Sequence, residues 1–344
     1  MIKKTAPSLP IKSLVDEATL AHIRQRSDFI GLALVAHAWG VIFLAMALFY
    51  YFPNPFTFLL AVALIGARQL GLAVLMHDAA HNALFRTLSW NNSVSDWLCA
   101  FPLMARTDAY RRYHLLHHFN TQQEDDPDLI LSAPFPITRK SLWRKVIRDL
   151  SGQTAYHQRK AQLFNAWQGR TLQSRVENFG AKMKGAILTN AIIFASVALV
   201  FHWSFYFILW LLPFMTWHML ITRIRNIAEH AFVPDNNDSL RNARTTKAGW
   251  LMRSFLAPYW VNYHVEHHAI MHIPCYRLPF LHRSMIAQGL GVKMEIAANY
   301  WDVLNHAASR HNDDDKRGTI VHNGRKRRSR LAGNFSDGFS PQSR

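Results

Sequence analysis

The apolar residues of this chain come in long blocks, with the charges set between them. Phe29 to Phe52 holds no Lys, Arg, Asp or Glu, and neither does Ala186 to Ile221. A soluble domain would break such runs every few positions, so the bunching predicts membrane spans. Phe29 to Phe52 is long enough, at 1.5 Å per residue, for a helix of about 36 Å, which crosses a hydrocarbon core of about 30 Å with some tilt. Pro53-Asn54-Pro55 forces a turn, and Phe56 to Met76 returns as a second helix interrupted by Arg68 and Gln69. Ala186 to Ile221 is too long for one crossing and suits two short ones around a tip at His202-Trp203-Ser204, with Trp203 and Tyr206 at the far interface. Leu142, Trp143, Val146, Ile147 and Leu150 share one helical face while Arg144, Lys145 and Arg148 share the other, which predicts a helix lying on the membrane surface.

Charge orients this plan. Of the 39 Lys and Arg, five precede the first span, fifteen lie between His77 and Lys184, eighteen follow Ile221, and one is Arg68. Neither hairpin tip carries any, so the positive-inside rule puts both tips outside and both termini in the cytosol. Arg68 and Arg223 are expected to anchor their helices at the cytosolic interface with side chains reaching the headgroups. The net charge of +17 thereby reads as topology and lipid contact rather than as a nucleic-acid surface. Thr5 to Asp28 is too polar for the core of a signal peptide, so the first span is expected to remain as an anchor. Two cysteines, Cys99 and Cys275, are too few for a disulfide framework or thiolate cluster. The plan divides the chain into a cytosolic segment 1–28, a membrane domain 29–309 and a disordered basic tail 310–344.

Nineteen histidines are present, and their arrangement is the chemical signal. His77-Asp78-Ala79-Ala80-His81, His114-Leu115-Leu116-His117-His118 and His264-Val265-Glu266-His267-His268 stand out. Chance would give about 0.06 copies of His-x-x-His-His in such a chain, and there are two. Positions i, i+3 and i+4 share a helix face, so each cluster can aim two or three imidazoles at one point. A fourth element puts Asn226 and His230 on one face in the same way. Nine histidines exceed the needs of one four-coordinate ion, which implies two metals, and imidazole by itself suits zinc, copper or iron.

In this order, flanking two apolar hairpins, the clusters resemble the three histidine boxes of the membrane fatty acid desaturase superfamily, over most of Phe29 to His282. The resemblance implies an all-α integral-membrane fold, with four spans in two hairpins beneath a cytosolic helical cap that holds the metals. It implies two iron ions ligated by His77, His81, His114, His117, His118, His230, His264, His267 and His268, with Asn226 acting through a bound water. Asp78, Glu229 and Glu266 lie inside the boxes, where they orient ligand imidazoles or serve surface and helix-end roles. The implied reaction is oxygen-dependent desaturation of a fatty acyl chain, as acyl-lipid or acyl-thioester, in the membrane of a bacterial type of enzyme, the inner membrane being expected. No fused His-Pro-Gly-Gly haem domain is visible, so a separate donor, a ferredoxin or soluble haem protein with its reductase, is expected at the basic cap. His264 stands where front-end desaturases carry Gln, and three residues separate His77 from His81 where animal acyl-CoA enzymes have four. A hydroxylase or carotenoid ketolase of the same superfamily is the rival reading. A metal transporter or sensor is a distant one, since its ligands should lie at mid-membrane depth. His37, His202, His218, His272 and His282 lack ligand spacing and read as structural, while Asp125, Asp126 and Asp128 either turn the chain around Pro127 or help close the site. A reporter fused after Arg344 is expected to be active on the cytosolic side; activity confined to the far side would break the four-span plan.

Overall fold

The computed structural model describes residues 8–310. It is helical almost throughout, with one two-residue parallel strand pair, Thr245–Thr246 on Ile296–Ala297. The expected disordered tail, apart from Arg310, lies outside the described residues, as do the first seven residues of the N-terminal segment.

Four helices are long and apolar enough to cross a membrane: Asp28–Tyr51 (α1), Pro55–Ala80 (α2), Leu172–Val200 and Tyr206–His230. Local chemistry sets their starts. Ser27 Oγ accepts from Ile30 N at the head of α1. Asn54 Oδ1 accepts from both Phe56 N and Thr57 N, and Pro55 occupies the first turn, where its missing N–H costs nothing. Between α2 and the third long helix come Thr107–Asn120 (α3), Arg139–Leu150 (α4) and Gln153–Ala166 (α5); Leu172–Val200 is α6. On α4, Trp143 and Ile147 stay exposed, as a membrane-surface helix requires.

Burial ranks the long helices. In its apolar window α2 is 67% buried, against 28% for α1 and for α6 and 44% for the fourth, so α2 is the interior helix against which the others pack. It does not stop at Met76 but continues to Ala80, which carries His77 on the same rigid rod as the span. The third helix likewise begins at Leu172, well before the apolar run, from a capping box formed by Thr171 and Ser174. The fourth is interrupted. A π-helical stretch, Tyr206–Leu211, leads to Leu212–Met215, and Thr216 then leaves helical geometry at φ −123°, ψ −83° before Trp217–His230 (α7) resumes. Pro213, which can neither donate a helical hydrogen bond nor fit beneath the preceding turn, accounts for the π-helical stretch before it.

Two expectations change here. Arg68 is not a headgroup anchor. It is 5% exposed, donates from Nη2 to the Ser254 carbonyl at 2.7 Å, and lies 5.5 Å over the Tyr259 ring. The unpaired carbonyls at the end of Trp250–Phe255 (α8) are what drew it inward. Arg223 is not free at an interface either; its guanidinium grips Asp149, with Nη2 to Oδ1 at 2.8 Å, and so ties α7 to α4. Sequence distance hid both partners.

At Gly66 the start of α7 lies close against α2. A Cβ there would stand 2.8 Å from Trp217 Cδ1 and 3.3 Å from His218 N, so any larger residue must push the helices apart. Gly66→Val is expected to lower stability by about 1–3 kcal/mol through overpacking, read as a fall in the thermal midpoint in detergent. Gly40→Val is the control, since a Cβ there meets nothing within 4 Å; equal effects of the two variants would refute the close-approach account.

Candidate metal centre

Four helices deliver the nine histidines of the sequence motifs to one buried region. His77 lies in the last turn of α2 and His81 immediately after it, where the chain turns through Asn82 at φ 53°. The loose carbonyls at this helix end are held by Arg111, from Nε to Ala80 O at 2.7 Å and from Nη2 to Ala79 O at 3.1 Å. α3 supplies His114, His117 and His118, and His230 ends α7. His264–Ala269 (α9) supplies His264, His267 and His268.

The nitrogens fall into two groups. His77, His81, His114, His118 and His267 bring one ligand atom each to within 4.8 Å of the others. His118 Nε2 is 2.9 Å from His114 Nε2 and 3.0 Å from His267 Nε2. In the second group His230 Nε2 is 3.2 Å from His117 Nε2 and 2.8 Å from His264 Nε2, which is 3.1 Å from His268 Nε2. The i, i+4 pair His114 and His118 serves one group while His117, between them, serves the other, so α3 borders both. Ligands at right angles about an ion, each about 2.1 Å from it, would stand about 3.0 Å apart. The observed spacings match such edges. Both ring nitrogens of His77 and of His81 are buried without a hydrogen-bond partner, an arrangement that a cation would relieve. The nine residues therefore fit metal ions.

Electrostatics keeps most of these rings neutral. Burial, reinforced by neighbouring histidines, holds His114, His118, His264, His267 and His268 well below the usual imidazole range. Burial, with His272 and Arg111 adding to it, brings His81 down to about 3. Neutral imidazole is the ligand form. His117 differs. Burial opposes its charge too, but the Asp126 carboxylate outweighs it and raises the group to about 9. Nδ1 donates to Asp126 Oδ1 at 2.8 Å, which leaves Nε2 directed at the second group.

The carboxylates within the boxes take tasks other than orienting ligand rings. Glu266 faces away from the metal groups, accepting from Thr245 Oγ1 and His282 Nδ1, and thus pins α9 to the strand pair and to Leu278–Ala287. Asp78 is 3.5 Å from His77 Nδ1, outside hydrogen-bond geometry, while its Oδ2 accepts from Cys275 N at 2.6 Å. Glu229 accepts from Arg225 Nε at 2.6 Å and places Oε2 3.5 Å from His264 Nε2, on the ligand-atom side of that ring. Alternation along a helix of only six residues, α9, decides the first case: Glu266 projects opposite to His264 and His268. Asp126 combines the two roles left open for it, accepting from Gln122 N and Asp128 N as a turn residue and from His117 as an orienting one. Asp128 accepts from Tyr113 Oη.

Several contributors carried no signal in the sequence. Gln122, at φ 62°, donates from Nε2 to the His230 carbonyl at 2.9 Å. Thr121 Oγ1 is 3.3 Å from His268 Nδ1, and His272 Nδ1 donates to His81 O at 3.0 Å. His37 pairs with Tyr259 Oη and His202 with Ser204 Oγ, both far from the two groups. Asn226 is half-buried and lines a cavity of about 160 Å³ that reaches His114, His117, His230 and His264 from between α2, α5 and α7.

An all-helical membrane protein with two buried groups of imidazole nitrogens is the class these features define. The family model for fatty acid desaturases matches residues 53–297, a segment containing all nine histidines and Asn226. The chain belongs to the fatty acid desaturase family. It is also similar to the dihydrorhizobitoxine desaturase of Bradyrhizobium elkanii, at 30% identity over 238 residues, 64% of this chain. The match spans 65% of that protein, slightly less than two thirds of its length.

Asp126→Asn removes the carboxylate that directs His117. Metal affinity is expected to fall about 10–100-fold, read by competition with a chelator. Asp108→Asn, at a half-exposed carboxylate paired with Arg106 and Arg112, should leave it unchanged; an unchanged Asp126→Asn would remove the orienting role.

Proposed function

We propose that this chain is a desaturase of a fatty acyl chain, acting with dioxygen at two irons held by the nine histidines, with Asn226 holding a water on the second. The observation that carries this reading is the pair of imidazole groups at the inner end of a cavity, within a chain of the desaturase family. Removing hydrogen from an unactivated methylene is beyond any side-chain acid or base, and iron with dioxygen supplies the oxidant when bound.

The chain's own residues do the rest. The neutral rings offer lone pairs without needing to lose protons, whereas His117 would give up its Nε2 proton on ligation while Nδ1–H stays bonded to Asp126. Leu70, Ala73 and Met76 give the cavity an apolar wall along α2 that can align a hydrocarbon beside the rings and exclude water from it. Glu229, near His264 Nε2, offers the second group a negative charge that nine neutral ligands lack. The protein is inferred to be a multi-pass bacterial inner-membrane enzyme with metal groups and termini on the cytosolic side, served by a ferredoxin or a soluble haem protein and its reductase. Its basic excess between and after the spans supports that orientation.

Fatty-acid and lipid mass spectrometry of a host expressing the chain should reveal an unsaturated species that is missing when His267→Ala is expressed at an equal level. A hydroxylated product in its place, or no new product, would overturn the desaturase reading.

A further inference from the structure

A second cavity, of about 90 Å³, lies apart from the metal groups, where the turn before α3 meets α5 and α6. Three cations line it: Arg106 just before α3, Arg112 on α3 and Lys182 on α6. One carboxylate answers them. Asp108 accepts from Arg106 Nε at 3.1 Å and Nη2 at 3.0 Å, and from Arg112 Nη1 at 3.2 Å. Arg106 Nη1 also donates to the Ala181 carbonyl at 2.9 Å, and Lys182 Nζ to the Asn165 carbonyl at 3.1 Å. Carbonyls orient these groups without neutralising them, so three cations against one carboxylate leave two positive charges in excess. Gln162, 8% exposed, lines the same cavity from α5. Its Nε2 donates to the Met104 carbonyl at 2.5 Å, which fixes the orientation of the amide, and its Oε1 is buried with no hydrogen-bond partner.

The cavity thus offers positive charge beside a buried acceptor that lacks a donor, and an anionic group that also carries a hydroxyl answers both. Position decides where such a group comes from. From Gly185 to Val200 α6 holds no charged residue, so Lys182 and Lys184 mark the level at which it enters the hydrocarbon. Next along α6, Ile187 and Leu188 are exposed, as are Phe164 and Trp167 at the end of α5, an apolar surface that acyl chains would cover. We propose that this cavity binds one anionic phospholipid with a hydroxyl-bearing headgroup, its phosphate held by Arg106, Arg112 and Lys182 and its hydroxyl donating to Gln162 Oε1. The lipid joins α5 and α6 to the start of α3, the helix that carries His114, His117 and His118. This site needs only the membrane spans and stands apart from the reaction proposed above.

The test is thermal unfolding of the full iron-replete chain in a neutral detergent, titrated with phosphatidylglycerol. The expected result is a saturable rise in the midpoint. Phosphatidylcholine with the same acyl chains, which has no net charge, should bind at least about tenfold more weakly. Phosphatidylethanol, equally charged but without a headgroup hydroxyl, should bind about fivefold more weakly. Arg112→Gln and Lys182→Gln should each weaken phosphatidylglycerol binding about fivefold, with iron content and the lipid-free midpoint unchanged. Lys184→Gln, the same change of charge at an exposed residue outside the cavity, should bind like the parent chain. Equal effects of Lys182→Gln and Lys184→Gln, or equal binding of phosphatidylcholine, overturn the site. Equal binding of phosphatidylethanol overturns the contact to Gln162. A matching rise with glycerol 3-phosphate alone overturns the lipid in favour of a soluble anion.

Discussion

Imidazole nitrogens only about three ångströms apart, deep inside the protein, set the terms for everything around them. A neutral ring carries one N–H and can bridge to one neighbour, so a point on which several ring nitrogens converge leaves lone pairs facing one another. Protonation offers little relief, because burial holds most of these rings well below the usual imidazole range. A cation at that point would satisfy all of the lone pairs together. Ions bound there would add to the free energy of folding, as in other sites whose ligands come from separate elements.

Such a crowd must be held apart from water and together by force from outside. The interior helix α2 provides the stiff member, and the polar residues that interrupt its apolar run turn out to be joints. Gln69 donates to the Trp210 carbonyl at 2.8 Å, next to the π-helical turn and Pro213, and Arg68 closes the end of α8. Arg111, Gln122 and Asp126 do the same nearer the imidazole groups, each satisfying backbone groups at a helix end or turn beside one of these histidines. Buried polar residues here serve the backbone first and the chemistry second.

Much of this could be read directly from the residues, because spans and boxes are written in short-range periodicities. Three apolar blocks gave four long helices, and i, i+3, i+4 spacing marked every histidine now found in the two groups. What could not be read depends on partners far along the chain. Arg68, near the cytosolic end of its helix, reads as reaching for a headgroup, yet the carbonyl it serves belongs to Ser254, far along the chain. His282 looked unconnected because its partner, Glu266, belongs to a box with a different expected duty.

The ligands also impose an order in time. His77 and His81 leave the ribosome with the first two long helices, whereas His264 to His268 follow roughly 190 residues later, on the order of ten to forty seconds at ordinary rates of synthesis. Through that interval the first group holds at most four of its five nitrogens and the second holds only His117 and, later, His230. A half-built set of imidazoles is open to whichever divalent ion the cell offers most freely. The last box, pinned by Glu266 to Thr245 and His282, completes both groups only when the C-terminal third of the chain has arrived.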